Sequence, residues 1–139
     1  MTKRELMQLY YLEKEIRALE DRIEELERET ESCTQILTGM PKSKGRHSRT
    51  AEIAAEIVDT KRLLCEKKLE RIYTRNQILR YIQTIDSSEV RLIIEYRFVD
   101  GLSWRQVANR MGATAASVRM IADRFLTEQY NRGVLHGAP

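Results

Sequence analysis

The chain has 139 residues, 42% of them hydrophobic and 32% charged, which allows one modest domain or a small domain with an extension and excludes a large enzyme. Two prolines and six glycines, with that charged fraction, favour a mostly helical protein. The formal net charge of +3 is unevenly spread: −4 over residues 1–38, +4 over 39–50, +2 over 51–85 and +1 over 86–139.

In chain order, Leu9, Leu12, Ile16, Leu19, Ile23, Leu26, Thr30, Cys33 and Leu37 recur in alternating steps of three and four, a heptad seam that predicts one long helix. The run TGMPKSKGRHS has two glycines, a proline and no apolar periodicity, so a loop is expected at about 38–49. From about Arg49 a second long helix is expected, with Ile53, Ile57, Leu64, Leu69, Ile72, Leu79 and Ile82 as its apolar stripe and an end near Ile85. Two such helices fold back most simply as an antiparallel hairpin over residues 1–85. Folding about the loop centre pairs positions whose numbers total about 88, which sets an acidic helix beside a basic one and keeps Cys33 and Cys65 apart. A two-helix hairpin buries little by itself, so self-association into a homo-oligomer is expected.

Residues 86–130 read as a three-helix domain, and the nonapeptide NRGVLHGAP at 131–139 as a flexible tail. Asp86 and Glu89 have capping-box spacing and open a helix over about 87–99, with Val90, Ile93, Ile94 and Phe98 inside and Gly101 just past its end. Ser103 and Gln106 repeat the capping signal for a helix at 103–111 that buries Val107, Ala108 and Met111. Gly112 ends it, because the position after a helix often needs a positive φ. Thr114 then caps a helix at 115–129 that buries Val118, Ile121, Ala122 and Phe125 and leaves Ala116, Arg119, Met120 and Asp123 pointing away. Two short helices joined by a glycine turn, with one packed and one free face on the second, form the layout of a DNA-binding helix-turn-helix. An inert helical corner has the same spacing.

Chemistry other than binding finds little support. Cys33 and Cys65 lack metal-ligand spacing, and His47 and His136 do not complete a site, so neither a metal nor another cofactor is expected. No paired carboxylates, nucleophile with a base or phosphate-binding glycine loop occurs at a useful spacing, so the chain is not expected to be an enzyme. No apolar run approaches a membrane span, and MTKRELMQLYY enters a charged helical pattern instead of a signal sequence. The expected setting is the cytoplasm, with reduced thiols and no membrane partner.

Counted from Trp104, the small residue Ala108 falls fifth, Gly112 ninth, Val118 fifteenth and Ile121 eighteenth, as in bacterial helix-turn-helix proteins. The segment SSEVRLIIEYRFVDGLSWRQVANRMGATAASVRMIADRFL resembles region 4 of sigma-70-type factors, and the whole layout is similar to a family of small phage and prophage proteins of Gram-positive bacteria related to ArpU-type transcription regulators. The resemblance implies a phage transcription regulator that binds double-stranded DNA and contacts host RNA polymerase. It places Thr114, Ala115, Ala116, Arg119, Met120 and Asp123 at base edges, and Arg105, Arg110, Ser117 and Arg124 at phosphates. Arg119 is the residue expected to read a base, since arginine donates two parallel bonds to guanine O6 and N7. Sigma region 4 carries arginine and glutamate where this chain has Ala115 and Ala116, and the acidic heptad helix of the N-terminal half does not resemble the aromatic-rich region 2, so a complete sigma factor is not expected. With +1 over residues 86–139, this end is expected to bind DNA weakly by itself.

Two other functions fit the same layout. A small terminase subunit also joins a helix-turn-helix to helical oligomerisation, and a ring of eight or more copies would mark it. A helical protein-interaction module would use Lys67, Lys68, Arg71, Arg75 and Arg80 as contacts. Loop residues Lys42, Lys44, Arg46 and Arg49 read as a solvated run that could also touch nucleic acid.

Overall fold

Among the described residues the chain is all-α: α1 (Lys3–Leu37), α2 (Lys44–Gln83), α3 (Ser88–Ile94), a π-helical turn (Glu95–Val99), α4 (Trp104–Met111) and α5 (Ala115–Leu135). The computed structural model describes the backbone of residues 1–37 and 44–135, and the side chains of residues 1–33 and 49–133. The long helical hairpin and the helical domain read from the sequence are both present, and no described helix is long and apolar enough to cross a membrane. The chain forms two compact units, one of Glu13–Glu70 and one of Met1–Leu12 with Arg71–Pro139.

In the unit Glu13–Glu70, the two long helices run antiparallel. Ile16, Ile23, Leu26 and Ile53 are buried, each contributing about 1.5–3 kcal/mol if fully withdrawn from water. Acidic side chains of α1 meet basic ones of α2: Glu15 with Lys67 at 3.2 Å, Glu20 with Lys68 at 3.6 Å and Glu27 with Lys61 at 3.7 Å. Arg22 and Glu56, at 3.6 Å, reverse the polarity. The numbers 20 and 68, and 27 and 61, both total 88, the expected register. The other two pairs, 15 with 67 and 22 with 56, total 82 and 78 and depart from that register. Exposed pairs of this kind are worth at most about 1 kcal/mol each, so they set alignment more than stability.

The second unit gathers the start of α1, the end of α2 and everything after it around one core. Leu6, Leu9, Ile78, Ile82 and Ile85 share that core with Ile93, Ile94, Phe98, Val99, Val107, Ala108, Val118, Ala122 and Leu126. The 86–130 segment expected as a domain therefore draws on 1–12 and 71–85 for its packing.

Several local expectations are corrected. α2 begins at Lys44 and not near Arg49, so 44–49 is helical where a loop was expected. A first helical turn makes few intrahelical bonds and needs no apolar contact, so hydrophobic periodicity does not register it. Leu69 and Ile72, read as core, are exposed, whereas Ile78 is fully buried. The N-cap of α3 is Ser87, which accepts from the Val90 N–H, so the Asp86 and Glu89 box does not form. Arg91 instead ties down the α2–α3 connection by donating to the carbonyls of Ile85 and Asp86 and to Ser88 Oγ. The expected helix over 87–99 is α-helical only to Ile94. Beyond it the Asp100 N–H bonds back to the Glu95 carbonyl at 3.0 Å, five residues earlier, and the wider turn brings Phe98 and Val99 inward together. The tail expected from 131 is helical through Leu135, since a helix anchored by Val118, Ala122 and Leu126 gains one backbone bond for each added residue. The side-chain readings of Leu37, Lys42, Lys44, Arg46, His47 and His136, and the tail reading of 136–139, lie outside the described residues.

Candidate nucleic-acid interface

The helix pair is fixed at both of its joints by backbone chemistry. Ser103 Oγ accepts from the Gln106 N–H at 3.3 Å while Gln106 Oε1 accepts from the Ser103 N–H at 2.9 Å, a complete capping box at the start of α4. α4 closes on Gly112 at φ 67°, and the N–H groups of Gly112 and Ala113 both bond to the Ala108 carbonyl. Thr114 Oγ1 then accepts from the Ser117 N–H at 3.2 Å and caps α5. Val107, Ala108, Val118 and Ala122 are buried between the helices, and Ala108 leaves room for their close approach.

This packing settles which side of α5 remains free. Ala115, Ala116, Arg119 and Met120 are exposed, Met120 at 59%, and Asp123 is half-buried at the edge of the same face. With Trp104 and Arg124 they line a shallow concavity of about 680 Å³ that Thr127 and Glu128 close at one end. Five of the six residues expected at base edges thus come together: Ala115, Ala116, Arg119, Met120 and Asp123. Thr114 is spent on the cap beside them.

Among the expected phosphate partners, Arg124 lines the concavity and its guanidinium donates to Met120 Sδ at 3.9 Å. Arg105 is exposed, and Ser117 sits exposed in the first turn of α5. Arg110 stacks over the Tyr96 ring at 5.3 Å, which holds its guanidinium beside the π-helical turn. Sequence reasoning missed Trp104, whose ring lies 4.8 Å beneath the Arg97 guanidinium. Arg97 also donates to the Leu102 carbonyl at 3.0 Å and so braces the entry to α4. A tryptophan at the first helical position after a capping serine was the available signal.

Electrostatics within the face centre on Asp123. Its carboxylate lies 3.8 Å from Arg119 Nε and 3.5 Å from Lys3 Nζ, which reaches it from the first turn of α1. Charge changes likewise when counted over the compact unit. Residues 1–12 and 71–139 hold twelve basic and seven acidic residues, a net +5, against +1 for residues 86–139. The half of the protein carrying the helix-turn-helix is thus more basic than its C-terminal segment. An open apolar floor flanked by arginines suits binding of a polar, anionic surface with methyl groups on its edge. No group of three or more His, Cys, Asp or Glu side chains suited to holding a metal occurs among the described residues. No family model matches the chain, and no match was found among curated proteins or solved structures.

Proposed function

We propose that this protein is a sequence-specific DNA-binding transcription regulator that lays α5 in the major groove while α4 crosses the phosphate backbone. The observation that carries the reading is the division of α5 into a face sealed by Val118, Ala122 and Leu126 and an open one bearing Ala115, Ala116, Arg119 and Met120. The major groove, about 12 Å wide, admits a helix, and small residues early in that helix let its backbone approach the base edges. Arg119 reads guanine through O6 and N7, while the alanine methyls and Met120 meet thymine methyl groups. Arg124, which lines the concavity, and Arg105, Arg110 and Ser117 outside it serve as phosphate contacts. The likeness to sigma region 4 supplies the setting, a phage or prophage promoter in the bacterial cytoplasm with host RNA polymerase as the second partner. Self-association through the long helices belongs to the same reading and draws support from Val58, Leu63 and Leu69, which α2 leaves exposed.

The test is fluorescence anisotropy on promoter duplexes enriched by selection from a random pool. The chain is expected to bind the enriched duplex more tightly than a scrambled one, and Arg119→Ala to weaken that binding by about 1–3 kcal/mol and relax preference at one base pair. Equal binding to both duplexes, or indifference to Arg119→Ala, overturns the reading. A solution mass of eight or more copies redirects it to DNA packaging.

A further inference from the structure

We infer that Lys3, at the opposite end of the sequence from the helix-turn-helix, belongs to the same DNA-binding surface and contacts a phosphate beside the base pair that Arg119 reads. The inference rests on the proposed function and adds a residue to its site.

The first turn of α1 is fixed from two sides. Thr2 and Glu5 form a capping box: the Thr2 N–H donates to the Glu5 carboxylate at 2.6 Å and the Glu5 N–H to Thr2 Oγ1 at 3.3 Å. Leu6, one turn on, is completely buried in the core that also holds Val118 and Ala122 of α5. Lys3 therefore projects from a held backbone and not from a loose end. Its ammonium group lies 3.5 Å from Asp123 Oδ1, while Arg119 Nε lies 3.8 Å from Oδ2 of the same carboxylate. Those distances and the width of a carboxylate put Lys3 Nζ within about 10 Å of Arg119 Nε. That separation is less than the ~12 Å width of the major groove, so one cation can reach a base edge while the other reaches the groove wall.

Asp123 explains why both are there. A carboxylate on a face that approaches DNA repels phosphates, and here two cations flank it. The side chains of Lys3, Arg119 and Asp123 are 56%, 64% and 43% exposed, so these ion pairs contribute little to folding. They are exchangeable: on DNA each cation can replace its shared carboxylate contact with a phosphate or a base. Lysine suits the backbone role because it acts as a point charge with three donors, whereas the planar guanidinium of Arg119 suits guanine.

The experiment measures anisotropy of the full chain on the enriched duplex and on a scrambled duplex of equal length across a salt series. Lys3→Met keeps the apolar stem and removes the charge. It is expected to weaken binding to both duplexes by a similar factor and to lower the slope of log K against log salt by about 0.9, the release of one counterion. That change narrows the affinity loss between 50 and 200 mM salt by about threefold. Lys3→Arg is expected to restore the slope, and circular dichroism melting of both variants to match the parent. An unchanged slope in Lys3→Met, with Arg119→Ala still impaired, overturns the role of Lys3 and leaves the proposed function standing. Altered base preference with an unchanged slope also overturns it, since Lys3 would then act only by positioning Arg119 through Asp123. No preference by the parent for the enriched duplex overturns the proposed function instead.

Discussion

One residue carries a liability in this chain. Tyr81 is half-buried, and its hydroxyl is enclosed with no hydrogen-bond partner among the described residues. Burial, followed by the negative charge of Glu5, pushes its phenol above the ordinary value. The folded state thus holds this proton more tightly than the unfolded chain, so its ionisation costs no stability below about pH 10, and stability falls as pH rises beyond it. Tyr81→Phe removes an unsatisfied polar group and is expected to stabilise the protein by about 1 kcal/mol and flatten the alkaline side of its thermal-melting profile. A lower melting temperature in the variant would instead mean that the hydroxyl finds a partner. Arg119 differs: its place on the free face and its pair with Asp123 four residues on both follow from helical spacing, but the second pair of that carboxylate does not, because Lys3 lies 120 positions from Asp123 in the chain.

Among the elements, those legible in the sequence share one property, a local signal that makes its own bonds. The box of Ser103 and Gln106, the cap at Thr114 and the left-handed glycines at 101 and 112 all form where the residue pattern places them. Gly112 is the most demanding of these. A Cβ there would meet nothing within 4 Å, so the penalty for a side chain is conformational and not steric. Gly112→Ala is expected to cost about 1–2 kcal/mol in denaturant unfolding, and Gly112→Asn distinctly less, because asparagine tolerates the left-handed region. Equal costs for the two would assign the penalty to crowding. The elements that misled lack such a signal. Asp86 with Glu89 has the right spacing, yet the helix starts one residue later than that box requires, and Ser87 takes the cap. The π-helical turn leaves no periodic mark, since the spacing of Ile94 and Phe98 fits an ordinary helix and only the burial of Val99 beside Phe98 betrays the extra residue.

At the scale of the molecule, the helix-turn-helix is built on a core that the two chain ends share. Leu6 and Leu9 of α1 and Ile78 and Ile82 of α2 are almost wholly buried in the cluster that holds Val107, Val118 and Ala122. Leu6→Ala is accordingly expected to destabilise this unit by about 2–5 kcal/mol, seen as a lower melting temperature together with loss of the proposed DNA binding, although Leu6 lies far from α5 in sequence. Unchanged binding with a lowered melting temperature would show that α4 and α5 hold without the start of α1. The sequence by itself determined the all-α class, the two long helices, the register near 88 and the capped helix pair, because periodicity and caps act over a few residues and were read from them directly. Only tertiary structure decided that α1 completes the core under α5, that the unit holding α4 and α5 has a basic excess of +5, and that Lys3 shares the Asp123 carboxylate with Arg119. These depend on which distant segments bury a common apolar surface, and burial between segments leaves no fixed spacing along a chain.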